Sequence, residues 1–112
     1  MRIAVIGMGS MGPGIAARLC RGGHTITAQD ISQDAIARAS SLLPMINGAL
    51  DALGIDDQDG VLSFVVDLAE AVSNADLVIE NVPEDIDTKA SLYRELDALI
   101  AEDILVASDT SG

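Results

Sequence analysis

The sequence has 112 residues, 49% of them hydrophobic, which is enough to build one domain around a core. Its formal net charge of -12 and its 2% aromatic content exclude a nucleic-acid-binding surface, which needs basic or stacking side chains. No apolar run approaches the roughly 20 residues of a membrane span. The single cysteine excludes an internal disulfide and gives no metal-ligand spacing. We therefore expect a cytoplasmic domain without metal, nucleic acid or membrane among its partners.

Short apolar runs alternate with helical patterns along the whole chain. The predicted strands are Ile3 to Ile6, His24 to Ala28, Val61 to Val66, Ala75 to Val82 and Ile104 to Ala107. The first predicted helix runs through Ile15 to Cys20. The second begins at the N-cap Ser32 and runs through Leu43, where Pro44 should end or kink it, and a further piece with Ile46, Leu50 and Leu53 closes at Gly54. The remaining predicted helices are Leu68 to Val72 and Ile86 to Ile100.

This alternation predicts the fold class. Strands that are apolar at successive positions are buried on both faces, as in a parallel sheet covered by helices. Right-handed crossovers then favour a Rossmann-type, doubly wound α/β fold, for which we expect the strand order 3-2-1-4-5. No internal linker or repeat interrupts the pattern, so residues 1–112 are predicted to form a single domain.

A glycine-rich turn follows the first strand in the stretch VIGMGSMGPGIA. Gly7 would allow a tight turn, Gly9 would let backbone N–H groups approach a pyrophosphate, and Gly12 would let the helix pack close to the strand. The helix N-terminus adds N–H donors and a partial positive charge. The turn predicts a dinucleotide site, and the alternative is a glycine-rich connection without a ligand.

Asp30 favours the first interpretation. It ends the second predicted strand, 18 residues after Gly12 (30 minus 12), where a carboxylate can accept hydrogen bonds from both hydroxyls of a ribose. A carboxylate would also repel a 2′-phosphate, and no basic residue occurs between Asp30 and Arg38. The sequence therefore predicts NAD rather than NADP.

A second motif lies in the stretch ADLVIENVPEDIDTKASLYREL. The fourth strand ends at Val82, and Pro83-Glu84 turns the chain at the carboxyl edge of the sheet, where such folds bind ligands. Lys89 follows early in the next helix. Glu84 and Lys89 could hold ribose hydroxyls or place a charge near a nicotinamide; the alternative is a turn acid and a solvated helix lysine.

Three stretches, GMGSMGPGIA, DLVIENVPEDIDTK and ILVASDTSG, resemble in order and spacing the NAD-binding domain of the L-3-hydroxyacyl-CoA dehydrogenases. That family includes the 3-hydroxybutyryl-CoA dehydrogenases and the lambda-crystallin type proteins. The resemblance covers nearly the whole chain and is weakest from Ser41 to Gly60. The Glu-x-Val-x-Glu stretch, its downstream lysine and Ser-x-Thr-Ser are the features most particular to this family.

The resemblance implies a set of functional residues. The glycine turn would hold the pyrophosphate, Asp30 the adenosine ribose, and Glu84 with Lys89 the nicotinamide side. Ser111 would assist near the reacting carbon of the substrate. The cofactor-binding residues expected in this way are Gly7, Met8, Gly9, Ser10, Met11, Gly12, Asp30, Ile31, Val82, Pro83, Glu84, Lys89, Ser108 and Asp109.

Three positions depart from the family pattern. Asp109 stands where the family usually has Asn, so an added negative charge could weaken an amide contact to the cofactor or suit another substrate. Gly112 stands where a second Ser is common. Tyr93 replaces the usual Phe, a change that we expect to be conservative.

In this family the general base is a histidine in a later His-x-Phe-Asn-Pro stretch, followed by a partner Glu and a helical domain. None of these occurs in the 112 residues, so we expect the chain alone to be inactive. His24, behind a Gly-Gly turn, and Cys20, on the apolar face of the first helix, are expected to be structural.

The resemblance implies the NAD-binding part of an oxidoreductase of fatty acid metabolism that transfers a hydride between NAD and the 3-hydroxyl carbon of a 3-hydroxyacyl-CoA. The alternatives are a dehydrogenase of the same family for a small hydroxy acid or carnitine, and a non-catalytic NAD-binding or structural module. We also expect a homo-oligomer, because the fifth strand would lie at an unprotected edge of the sheet, and we expect Lys in place of Val106 to favour the monomer.

Overall fold

The computed structural model describes residues 1–83 and 85–108, and its strands and helices alternate as the sequence predicts. The elements are β1 (Arg2–Ile6), α1 (Gly12–Arg21), β2 (Thr25–Gln29), α2 (Gln33–Ala52), β3 (Val61–Val65), α3 (Leu68–Val72), β4 (Leu77–Glu80), α4 (Ile86–Leu99) and β5 (Leu105–Ser108).

The five strands form one parallel sheet in the order β3-β2-β1-β4-β5, which confirms the predicted topology. The register brings the last residues of all five strands into one row at the carboxyl edge: Val65, Gln29, Ile6, Glu80 and Ser108. The strand order reverses between β1 and β4, and folds of this kind bind ligands in the crevice outside such a switch point.

The core lies on both faces of the sheet. Alternate residues of a strand point to opposite faces, so Ile3 and Val5 pack with α1 and α2, whereas Ala4 and Ile6 pack with α3 and α4. This arrangement explains why the strands are apolar at successive positions.

The helix α2 differs from expectation, because it continues through Pro44 as one element of 20 residues. A proline inside a helix leaves the carbonyl four residues earlier without its N–H partner. That carbonyl belongs to Ser40, and both Ser40 and Pro44 are exposed, so water can satisfy it. The prediction that Pro44 could end the helix was wrong for this reason.

Arg21, the last residue of α1, links α1 to the C-terminal end of α2. Its buried guanidinium donates to the carbonyl oxygens of Asn47 (3.1 Å) and Ile55 (2.7 Å) and forms an ion pair with Asp51 at 2.8 Å. A buried guanidinium is stable only when its donors are satisfied. No helix among the described residues has the length and apolarity needed to cross a membrane.

Candidate cofactor-binding site

A cleft of about 1110 Å³ opens at the carboxyl edge of the sheet, over the switch point. Its walls come from the turn after β1, the segment from β2 into α2, the start of α3, and the segment from β4 into α4. Six of the predicted cofactor-binding residues line it: Gly7, Gly9, Asp30, Ile31, Val82 and Pro83.

Two glycines of the turn are required by the protein itself. Gly7 has φ +99°, and a Cβ at this position would lie 2.7 Å from the backbone oxygen of Asn81. A Cβ on Gly12 would overlap the backbone oxygen of Gly7. Both contacts are with the main chain, which cannot rotate away as a side chain can. Close packing of β1, α1 and the end of β4 therefore explains these glycines without any ligand.

Gly9 is different, because no neighbour among the described residues requires it to be small. Apart from its two chain neighbours, none of these residues has a heavy atom within 4 Å of a Cβ built there, and Gly9 lines the cleft. A glycine that faces open space in a cleft leaves its backbone open to close approach by a bound group. The space in front of Gly9 thus fits the pyrophosphate that the motif predicts.

The N-terminus of α1 follows the same turn. Among the described residues, no side chain caps this end of the helix, and its first turn contains Pro13 but no acidic residue. Its partial positive charge is therefore not neutralised by a carboxylate within the first turn. A helix end of this kind suits an anionic group.

Asp30 is held in one orientation by the main chain. Its Oδ2 accepts a hydrogen bond from the backbone N–H of Met8 at 2.8 Å, and its Oδ1 accepts one from Ser32 at 2.9 Å. Each carboxylate oxygen can accept a further hydrogen bond. The group is thus oriented in advance at the cleft wall with acceptor capacity for two hydroxyls.

Arg38 also lines this cleft. Its distance from Asp30 along the sequence did not indicate that the two residues would share a cleft. The helix α2 starts beside Asp30 and brings Arg38 back over the same opening. Among residues 1–83 and 85–108, no hydrogen bond or ion pair holds its guanidinium, and it is the only basic side chain among the lining residues. The sequence argument against a basic partner for a 2′-phosphate was therefore incomplete.

Other predicted cofactor residues lie outside the lining of the cleft. Met8 has a fully buried side chain in the core, and only its backbone N–H faces the site, where it bonds to Asp30. Ser10 and Met11 are exposed at the turn, and Gly12 is buried beneath it. The predicted residues Glu84, Asp109 and Ser111 are outside the described residues.

Lys89 and Ser108 are not among the residues that line the cleft. The ammonium of Lys89 is 3.6 Å from Oε1 of Glu80, and its side chain is 24% exposed. Other residues of α4 line the cleft: Asp87, Thr88, Ser91, Leu92 and Glu95. The helix α4 therefore contributes both to the cleft and to the contacts of Glu80.

Glu80 is a residue that the sequence reasoning missed. It ends β4 and is fully buried, its Oε2 accepts from the backbone N–H of Val82 at 2.9 Å, and its Oε1 accepts from the Tyr93 hydroxyl at 3.1 Å. The available signal was a carboxylate at the end of an otherwise apolar strand, since buried acids need partners.

Tyr93 uses its hydroxyl, so its replacement of the usual Phe is not conservative in this structure. Burial is the main cause that raises the pKa of Tyr93, and the hydrogen bond and negative charge of Glu80 act in the same direction. A hydrogen bond from Ser108 opposes them and lowers this pKa. The phenol therefore connects the ends of β4 and β5.

His24 and Cys20 lie away from the cleft. His24 precedes β2 at the amino edge of the sheet, and Cys20, in the last turn of α1, packs against the core. Burial, followed by the charge of Asp57, raises the pKa of the Cys20 thiol against a smaller opposing effect of Arg21. Within the described residues, no three His, Cys, Asp or Glu side chains are grouped to hold a metal ion.

Known proteins are similar to this chain in sequence. The family model of the 3-hydroxyacyl-CoA dehydrogenase NAD-binding domain matches residues 2–112. The 5-formyl-3-hydroxy-2-methylpyridine 4-carboxylate 5-dehydrogenase of Mesorhizobium japonicum is 55% identical over 98% of this chain and 37% of its own length. An L-carnitine dehydrogenase of Nocardiopsis dassonvillei is 38% identical over 98% of this chain and 34% of its own length.

Solved structures agree. The crystal structure of an NAD-dependent 5-formyl-3-hydroxy-2-methylpyridine 4-carboxylic acid 5-dehydrogenase superposes with a TM-score of 0.93 at 54% identity, over 99% of this chain and 37% of that one. The structure of the 3-hydroxybutyryl-CoA dehydrogenase of Escherichia coli superposes with a TM-score of 0.84 at 31% identity, over 99% of this chain and 25% of that one. The chain thus spans between a quarter and little more than a third of the length of these relatives. It belongs to the 3-hydroxyacyl-CoA dehydrogenase family, whose members are NAD-dependent dehydrogenases, and corresponds to the family's NAD-binding domain.

Proposed function

We propose that this domain binds NAD across the carboxyl edge of its sheet, for a dehydrogenase that moves a hydride between NAD and a hydroxyl-bearing or formyl-bearing carbon of a small carboxylate. The observation that carries the proposal is the open space in front of Gly9 beside the fixed carboxylate of Asp30. When bound, NAD supplies the hydride-accepting ring; the residues of this chain bind and orient it.

The adenosine half would lie over β2. Asp30 would accept hydrogen bonds from the ribose hydroxyls, and Ile31, which is 86% exposed, would lose that exposure against the adenine. The turn at Gly9 and the N-terminus of α1 would hold the pyrophosphate. Val82 and Pro83, with Lys89 and Ser108 beyond them, would lie toward the nicotinamide half, and we retain Glu84, Asp109 and Ser111 as candidates there from the family resemblance.

The substrate class rests on the relatives. A small carboxylate is favoured because relatives at 55% and 38% identity are named for a pyridine carboxylate and for carnitine. A 3-hydroxyacyl-CoA, with a place in fatty acid metabolism, is the second candidate, because the family description and the E. coli relative name CoA esters. NADH formation from each compound, measured with the natural protein that contains these residues, separates the two.

The general base is proposed to come from outside these 112 residues. The chain has one histidine, His24, and it lies at the opposite edge of the sheet from the cleft. Loss of a general base costs roughly 10²–10⁴ in rate. Mixing the chain with NAD and each candidate substrate should therefore give negligible NADH. Rapid NADH formation would show that the chain holds another base.

A pair of glycine variants tests the cofactor site. Gly9→Val fills the open space in front of the turn and should abolish NAD binding in calorimetry while the thermal midpoint stays unchanged. Gly48→Val is the matched control, because Gly48 also has no protein atom near its Cβ position but lies on α2, away from the cleft. If Gly9→Val binds NAD as tightly as the wild type, the proposed site is wrong.

We also propose a cellular location and a mode of self-association. We place it in the cytoplasm, because its only cysteine is partly buried and cannot form an internal disulfide. Self-association through β5 is proposed as well.

A further inference from the structure

Glu80 is the only buried carboxylate in the described part of the chain, and its side chain has no exposed surface. Burial of an ionised carboxylate is costly unless donors and an opposite charge surround it. A protein that needed only to fill this space could do so with an apolar residue. A buried acid at the carboxyl edge of the sheet, next to the cleft, therefore calls for a role beyond packing.

The partners of Glu80 come from three directions. The N–H of Val82 fixes Oε2, while the Tyr93 hydroxyl and the Lys89 ammonium approach Oε1 at 3.1 and 3.6 Å. Tyr93 in turn is hydrogen-bonded by Ser108 at the end of β5. The carboxylate thus connects the exit of β4, two turns of α4 and the end of β5.

This cluster lies on the opposite side of β1 from Asp30. A dinucleotide bound across the switch point, with its adenosine ribose on Asp30, would place its other half over β4 and β5. The buried cluster would then support the surface on which the nicotinamide half lies.

We propose that Glu80 is a positioning residue that holds Lys89 directly, and Ser108 through Tyr93, beside the nicotinamide half of the cofactor, and that its negative charge offsets that of Lys89. This inference rests on the proposed function. It assigns to Glu80 a role in the relative affinity for oxidised and reduced cofactor, because the nicotinamide ring is positively charged in NAD and neutral in NADH. It assigns to Tyr93 a role in the affinity for both forms.

The sign of the effect follows from the charges. In Glu80→Gln the ammonium of Lys89 loses one nearby negative charge, so binding of the positively charged ring is disfavoured. The ratio of the dissociation constant for NAD to that for NADH should rise roughly threefold to tenfold, as expected for one charge removed at a partly screened site. Tyr93→Phe changes no charge, so it should weaken NAD and NADH equally, by roughly threefold for one lost hydrogen bond.

The experiment is calorimetric titration of the 112-residue chain and its variants with NAD, NADH and ADP-ribose. ADP-ribose lacks the nicotinamide ring, so its affinity should stay unchanged in both variants. The matched control is Asp97→Asn, which removes one carboxylate charge from an exposed position of α4 outside the cleft and should leave the NAD-to-NADH ratio unchanged. Circular dichroism of each variant checks that it is folded.

Several results would overturn the inference. One is a Glu80→Gln chain that binds all three ligands more weakly by the same factor, since that is the result of a purely structural role. Another is an unchanged NAD-to-NADH ratio. If Glu80→Gln does not fold, Tyr93→Phe provides the test. An equal loss of affinity for ADP-ribose and for NAD, or no loss of affinity for either, would contradict the positioning role. Failure of the wild type to bind ADP-ribose would instead refute the proposed function itself.

Discussion

The β1–β2 end and the β4–β5 end of the sheet's carboxyl edge differ in the groups that form their contacts. At the β1–β2 end, the site is mostly main chain: glycines set the turn, and backbone N–H groups of Met8 and Ser32 orient Asp30. At the β4–β5 end, side chains contact one another, through Glu80, Tyr93 and Lys89. The sequence predicted the first end, whereas at the second end it predicted Lys89 but not Glu80 or the contacts that join Glu80 to Tyr93 and Lys89.

The difference has a physical origin. A main-chain site needs glycine at particular positions, because glycine adopts a positive φ without steric cost and has no Cβ to overlap a neighbouring backbone atom. A side-chain site can use many residue types, provided that the fold brings them together. We therefore expect the first end to fail by steric overlap and the second by loss of charge or hydrogen bonding, and the following experiments test this contrast.

The largest effect is expected for Gly12→Ala, at the main-chain end. The added Cβ would overlap the carbonyl oxygen of Gly7, so β1 and α1 must separate. Overpacking of this kind costs about 3 kcal/mol of unfolding free energy. Urea denaturation measures the loss. The control is Gly14→Ala in the same helix, which meets no protein atom within 4 Å and should not destabilise the chain. Equal stability of the two variants would contradict the steric explanation.

Asp30→Ala should have the next largest effect. Loss of a carboxylate that accepts ribose hydrogen bonds should weaken NAD binding roughly tenfold to hundredfold. The same change removes the negative charge that repels a 2′-phosphate, while Arg38 remains free at the cleft. NADP binding should therefore improve relative to NAD, and Arg38→Ala added to Asp30→Ala should reverse this gain.

The measurement is calorimetry of both nucleotides with each variant. Asp34→Ala serves as the control, because Asp34 is an exposed acid in the first turn of α2 that does not line the cleft. A preference for NAD that survives Asp30→Ala would show that another feature sets the selectivity.

A smaller effect is expected from pH at the side-chain end. The chain has one Tyr and no Trp, so its tyrosinate absorbance reports Tyr93 alone. Burial and Glu80 raise the pKa of Tyr93, so tyrosinate should form at a higher pH in the folded chain than in denaturant, where it should form near 10.0. Titration at the same pH in both states would contradict the burial of Tyr93 together with its contact with Glu80.

The raised pKa also has a consequence for stability. The folded state retains the phenolic proton to higher pH than the unfolded state, so the contribution of Tyr93 is complete below pH 10.0 and is lost as the pH rises through its folded-state pKa. The unfolding free energy should therefore fall with pH above 10.0 through this residue. Tyr93→Phe should remove this part of the slope, and wild-type and Tyr93→Phe slopes that coincide would argue against it.

The smallest effect concerns the edge of the sheet beside the side-chain end. Among the described residues, β5 pairs only with β4, and Leu105 is 66% exposed whereas Val106 packs into the core. Self-association through β5 should grow with salt, because salt screens the net charge of -12. Leu105→Lys is therefore a better test than a lysine at Val106. Sedimentation that shows only monomer at all salt concentrations would disprove this association.

The sequence by itself determined the layers of the fold and predicted the main-chain end of the candidate site. Strands buried on both faces leave continuous apolar runs, and helices between them leave a different period, so the parallel sheet and its order could be predicted. The glycine spacing and Asp30 could also be recognised in the sequence, because each belongs to a single strand-to-helix connection.

Only the tertiary structure decided the rest, because those features depend on which elements pack together. The course of α2 brings Arg38 to the cleft and leaves Pro44 and the Ser40 carbonyl in water. The packing of α4 on the sheet brings Tyr93 to Glu80, which is 13 residues away along the chain. Contacts between elements leave no periodic signal in the sequence, so a buried carboxylate and its partners are recognised only once the helices are in place.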